Sequence, residues 1–163
     1  MMIRLYFLRH ATAEEPAVGL PDAERALTEK GERQSRLVAS FCARQGLLPA
    51  ALLTSPLVRS VQTANCFSEQ LHDCPPPEVV EWLRLGTPAA EAVQCLRERL
   101  GRAEGHLCLV GHEPDLSDLI SRLLGSNDPI VRVKKASLTC IEIDPAALRH
   151  GQLLWSVPCA LMG

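Results

Sequence analysis

Arg9-His10, Arg59 and Gly111-His112 each lie just beyond a short apolar segment, and their side chains suit the chemistry of phosphate. A guanidinium presents a planar fork of N–H donors that matches phosphate oxygens. An imidazole can donate to the same oxygens or, when neutral, attack phosphorus. Singly, none of these residues is informative: an Arg-His pair is commonly a surface accident, and a lone histidine at a strand end is usually just hydrogen-bonded. Two arginines with two histidines, delivered by three strand ends, describe a site for a tetrahedral oxyanion. The neighbouring cations also favour neutral imidazoles, as a nucleophile requires. A metal site is the rival reading of two histidines. It fares worse because the neighbours are cationic and the third ligand would have to be Glu113. No metal and no cofactor are expected. The residues themselves do not choose between His10 and His112 as the nucleophile.

The elements that must position these residues are legible in the pattern. Residues 2–8 read as a strand. Thr28 is an N-cap, with Glu29 near the positive end of the helix dipole, and Gly46 ends that helix. Its apolar positions are Leu37, Val38, Phe41 and Cys42. Residues 50–54 are a second strand, after which Ser55-Pro56 is expected to cap and start a helix. A proline-rich turn covers 72–77, and Val79-Val80 is a brief third strand. A helix from Thr87-Pro88 runs to about Leu100. Residues 106–110 are a buried strand. The helix opened by Pro114 buries Leu116, Leu119, Ile120, Leu123 and Leu124 before Gly125 stops it. Residues 137–143 and 152–157 are strands joined so closely that they must run antiparallel. The expectation is an α/β fold: a three-layer α/β/α sandwich with a mainly parallel sheet and an antiparallel edge. In such sheets ligands bind beyond the carboxyl ends of the strands, where the arginines and histidines fall.

The 163 residues suit one domain, read as 1–163, and 47% hydrophobic with 22% charged residues is ordinary globular composition. A net charge of -2 gives no general field for nucleic acid or an anionic membrane, so any anion site is local. No apolar run approaches the ~20 residues of a membrane span, and the apolar start is too short for a signal-peptide core. The seven cysteines are scattered and odd in number, which fits free thiols in the cytoplasm and not a disulfide framework or a zinc knot.

Three ordered motifs carry a resemblance to the histidine phosphatase superfamily, the phosphoglycerate mutase-like proteins. They are Leu8-Arg9-His10-Ala11, with Ala11 where the family signature has Gly; the segment from Thr54-Ser55-Pro56 through Arg59 to Gln62-Thr63-Ala64; and Val110-Gly111-His112-Glu113-Pro114. Within the superfamily the chain is similar to the short SixA branch of protein phosphohistidine phosphatases, through Glu24-Arg25-Ala26-Leu27-Thr28-Glu29-Lys30-Gly31 and the residues at 114–117. The resemblance implies that His10 is the nucleophile and that Arg9, Arg59 and His112 are phosphate ligands and catalytic. It makes Arg25 a further phosphate ligand, although Arg25 alone reads as a solvated charge.

Larger members of the family carry a helical insertion with an acidic proton donor where this chain has only residues 72–86. Glu81 and Glu78 are the candidate general acids there, and exposed strand-edge charges are their simpler reading. Imidazole leaves phosphorus as a far weaker base than an alkoxide, so phosphohistidine tolerates a missing donor. The expected substrate is therefore a phosphohistidine-bearing protein of a signalling or phosphotransfer system. The alternatives are a small phosphorylated molecule, making the chain a phosphomonoesterase, or a non-catalytic phospho-ligand binding module. A mutase would need a more enclosed pocket. Arg132 with Lys134-Lys135 could rim the site for an acidic partner or form a solvated charge cluster.

Overall fold

The computed structural model describes residues 1–102 and 105–163. Six strands form one sheet in the order β3-β2-β4-β1-β5-β6. They are β1 Ile3–Arg9, β2 Ala51–Thr54, β3 Pro77–Val79, β4 Leu107–Gly111, β5 Leu138–Ile143 and β6 Gln152–Val157. β1, β2, β3 and β4 are mutually parallel; β5 runs antiparallel to β1, and β6 to β5. The long helices are α1 Glu29–Gln45, α2 Val58–Gln70, α3 Ala89–Leu100 and α4 Asp115–Leu123.

Alternation along the strands divides the core between the two faces of the sheet. Leu5, Phe7, Leu107, Leu109 and Ile141 pack against Leu96 of α3 and Leu116, Leu119 and Ile120 of α4. Tyr6, Leu8, Cys108, Val110, Leu138 and Cys140 pack against Val38, Ala39 and Cys42 of α1 and Ala64 and Phe67 of α2. The expected three-layer fold is present, with α1 and α2 on one face and α3 and α4 on the other.

Two local readings need adjustment. Ser55-Pro56 does not start a helix: α2 begins at Val58, and the preceding residues form a turn in which Ser55 Oγ accepts from Leu57 N–H at 3.2 Å. The hydroxyl is thereby turned toward β4 and its histidine. The third strand begins at Pro77, on the sheet edge where proline's missing donor costs nothing.

α1 begins as the sequence implies. Thr28 Oγ1 accepts from Gly31 N–H at 3.1 Å, and Gly46 ends the helix in the left-handed region at φ 67°. Gly31 is buried because the first turn of α1 lies against the chain just after His10. A Cβ there would overlap the Thr12 carbonyl oxygen, which also accepts from Thr28 N–H at 3.0 Å. Glycine in a helix normally costs stability, so alanine should help by about 1 kcal/mol on propensity alone. Here the overlap with backbone decides the sign. Gly31→Ala is expected to destabilise by about 1–3 kcal/mol in urea denaturation, and to lower activity by moving Thr12.

Candidate active site

Register places the ends of the central strands side by side. Arg9 pairs with Gly111 across β1 and β4, and Thr54 pairs with Val110 across β2 and β4. The next residue on each strand is therefore His10, Ser55 or His112. His10 N–H donates to the Gly111 carbonyl at 3.0 Å, and Ser55 N–H to the Val110 carbonyl at 3.0 Å, which carries the ladder past the strand ends. Arg9, His10, Arg25, Arg59 and His112 line one open cavity of about 220 Å³, together with Asp22, Glu113, Lys135, Ala13 and Leu85.

His10 is 7% exposed and His112 1%. Their ring centroids are 5.1 Å apart. His10 Nδ1 lies 2.8 Å from the Ala11 carbonyl oxygen, which can only accept. Nδ1 therefore carries the proton and donates, and Nε2 keeps its lone pair. Burial, with the charges of Arg59, Arg9 and Lys135, pushes the His10 pKa down to about 4 against the opposing pull of the Ala11 carbonyl. His112 is engaged differently. Its Nε2 lies 2.7 Å from Ser55 Oγ and 3.3 Å from Ser60 Oγ, while Nδ1 is buried without a protein partner. Ser55 Oγ, which accepts from Leu57 N–H, still has its own proton to offer His112 Nε2; in the tautomer that takes it, the imidazole N–H is on Nδ1. Burial, then His10, Arg59 and Arg9, push His112 to about 3.

The cations are held by backbone oxygens and by the Asp22 carboxylate. Arg9 Nη1 donates to the Val133 carbonyl at 3.1 Å, and burial lowers the Arg9 pKa. Arg59 is 2% exposed; its Nη1 donates to the Asp22 carbonyl at 2.8 Å and its Nη2 to Asp22 Oδ2 at 3.1 Å. Arg25 Nε donates to Asp22 Oδ1 at 2.9 Å and its Nη1 to the Glu14 carbonyl at 2.7 Å. The Nε atoms of Arg9 and Arg59 are buried without partners.

The remaining residues of the second motif hold this arrangement. Thr63 Oγ1 donates to the Arg59 carbonyl at 2.7 Å and accepts from Ala11 N–H at 3.0 Å, joining α2 to the turn after His10. Gln62 Oε1 accepts from Leu27 N–H at 2.7 Å, fixing the loop that presents Arg25. Ala11 itself is fully buried, packed in the α1/α2-side core, with its backbone outside the left-handed region.

Glu78 and Glu81 are not brought to the cavity. Both are exposed, Glu78 bonded to Arg99 at 3.4 Å and Glu81 to Arg84 at 3.0 Å. The carboxylates at the cavity are Asp22, which sequence reasoning missed, and Glu113, which it weighed only as a metal ligand. Glu113 accepts from Ser117 N–H at 3.0 Å and Ser117 O–H at 2.6 Å. The hydrogen bond from Arg25 holds Asp22 below the usual carboxylate range, with Arg59 adding to the effect. No motif flagged Asp22; its one signal is its place three residues before Arg25. Lys135, from the basic stretch, reaches the cavity rim. Among the described residues no group of histidines, cysteines and carboxylates could hold a metal ion. No helix among them is long and apolar enough to cross a membrane.

Residues 5–86 match the family model of the histidine phosphatase superfamily, branch 1. The chain belongs to the histidine phosphatase superfamily. It is 33% identical over 137 residues to an uncharacterized protein of Picosynechococcus, covering 83% of this chain and 82% of that one. Its fold is similar to the protein histidine phosphatase SixA complexed with tungstate, at a TM-score of 0.88 and 20% identity over 99% of this chain and all of that one. It is also similar to a mycobacterial glucosyl-3-phosphoglycerate phosphatase, at a TM-score of 0.77 and 19% identity over 97% and 99% of the two chains.

The neutral, buried histidines make stability depend on pH. In the unfolded chain both take up a proton near pH 6.5; in the folded chain they do so only near 4 and 3. The unfolded state thus binds more protons in the interval, and stability falls as pH falls from about 6.5 toward 4. Between pH 7 and 5 each histidine is expected to cost about 1–2 kcal/mol of folding free energy. Urea denaturation at the two pH values should show a correspondingly smaller difference in a His10→Asn/His112→Asn protein.

Proposed function

We propose that this histidine phosphatase removes the phosphoryl group from phosphohistidine on a protein, through a covalent intermediate on His10 and without a metal. The observation that carries the reading is the Ala11 carbonyl on His10 Nδ1, which leaves a neutral imidazole with its Nε2 lone pair in a pocket of arginines. In the first step Nε2 attacks phosphorus, a P–Nε2 bond forms, and the P–N bond to the substrate imidazole breaks. With the far nitrogen of that imidazole protonated, the ring leaves neutral and needs no general acid. In the second step water attacks phosphorus, the P–Nε2 bond breaks, and inorganic phosphate leaves.

The free donors of Arg9, Arg25 and Arg59 and the His112 Nδ1–H are the groups to stabilise charge on the equatorial oxygens. Tungstate, the ligand in the SixA structure, is a tetrahedral oxyanion of the same kind. Protein phosphohistidine is favoured over a phosphate ester because both carboxylates at the cavity are engaged as hydrogen-bond acceptors, and neither Glu78 nor Glu81 is present to protonate an alkoxide. The free cysteines suit a cytoplasmic enzyme, their thiol pKa values being raised by burial, that of Cys42 to about 12.

His10→Ala is expected to lose about a thousandfold or more in kcat and to take up no acid-labile label from a phosphohistidine protein. Wild-type turnover should survive chelation. An ordinary histidine would lose roughly 20-fold in kcat/KM between pH 7 and pH 5 through protonation. The depressed His10 predicts no such fall over that interval, because the free enzyme keeps its imidazole neutral while the substrate imidazole only gains protons as pH falls. Faster turnover of simple phosphomonoesters than of a phosphohistidine protein would assign the site to small molecules instead.

A further inference from the structure

Asp22 sits in the phosphate pocket as an anion. Its two carboxylate oxygens take one guanidinium each, Oδ1 from Arg25 at 2.9 Å and Oδ2 from Arg59 at 3.1 Å, while its carbonyl takes the other Arg59 terminus at 2.8 Å. Resting on the reading of this cavity as a phosphoryl site, we infer that Asp22 is an internal competitor for phosphate: a carboxylate that occupies donors of Arg25 and Arg59 and weakens the hold on the product.

The charge balance requires something of the kind. Arg9, Arg25, Arg59 and Lys135 line the cavity, against Asp22 and Glu113. Glu113 is held by Ser117, and its charge acts on Arg9. Without Asp22, the Arg25–Arg59 side would face the cavity as two uncompensated guanidiniums, one of them almost fully buried. Inorganic phosphate has the same oxygens as the transferred group, so every donor that grips the substrate phosphoryl also grips the product. A carboxylate shared between two arginines lowers both affinities. A substrate that makes contacts beyond the phosphoryl group can recover its share; free phosphate cannot.

The placement suits displacement. The Asp22 side chain is 55% exposed, and it lies in a short 3-10 turn, Asp22–Glu24, that contributes nothing to the core. The Arg59 guanidinium would retain the Asp22 carbonyl when the carboxylate swings away, so the cation need not move. A purely positioning role makes the opposite prediction, because loss of the carboxylate would then leave Arg25 misplaced and phosphate bound more weakly.

The test is calorimetric titration of wild-type and Asp22→Asn protein with inorganic phosphate and, separately, tungstate. Asparagine keeps one acceptor and removes the charge. Because the carboxylate is half exposed, the expected gain is modest: phosphate should bind roughly fivefold more tightly to Asp22→Asn, and inhibit turnover at correspondingly lower concentration. Asp22→Ser should shift in the same direction, which guards against a rearranged amide, and Asp22→Glu should restore wild-type affinity. Equal or weaker phosphate binding by folded Asp22→Asn and Asp22→Ser proteins would overturn the inference while leaving the phosphate site intact. Failure of wild type and every variant to bind either anion would instead overturn the phosphoryl-site reading itself.

Discussion

Arg59 is a cation with almost no access to water, and a folded chain must give such a group partners. Much of the molecule's layout follows from that constraint. Arg59 stands in the first turn of α2, so the strand before it has to end where acceptors are available. The acceptors come from Asp22, on the long connection between β1 and α1, which is pinned in turn by Gln62 on the same helix. Thr63, one residue on, bonds both the Arg59 carbonyl and the turn after His10. The helix that brings the buried charge thus also fixes the nucleophile candidate and the loop that neutralises it. A mutation at Gln62 or Thr63 would be felt at the site without touching a ligand.

The fold was readable because its signals are local. Alternation in the strands, the Thr28 cap, the Gly46 stop and the apolar stripe of α4 each follow from a few neighbouring residues. The start of α2 was not. Ser55-Pro56 has the composition of a cap, and Ser55 Oγ does accept locally from Leu57 N–H, but it does so in a turn ahead of α2 while also bonding His112, fifty-seven positions away. The contact with His112 is invisible to any local reading.

The site was readable in part, for the same reason. His10, Arg9, Arg59 and His112 follow strand ends, and a parallel sheet gathers strand ends at one edge. Arg25 rested on resemblance alone, and its place at the cavity depends on the fold of an irregular loop. Asp22 escaped notice because an exposed aspartate before an arginine is among the commonest patterns on a protein surface. Its significance is entirely a matter of where two guanidiniums converge. Glu78 and Glu81 are the opposite case: suitable chemistry close in sequence to the sheet edge, whose simpler reading as exposed charges fits the structure, paired as they are with α3 and with their own turn.

Ala11 bears on more than packing. Where a glycine would have been free to wander through conformations closed to other residues, the methyl group is locked into the interior and adds less disorder to the unfolded chain. The carbonyl that sets the His10 tautomer belongs to this same residue. The orientation of the His10 ring is therefore anchored by hydrophobic burial one atom group away, so that core cohesion acts as the bearing on which the imidazole is mounted.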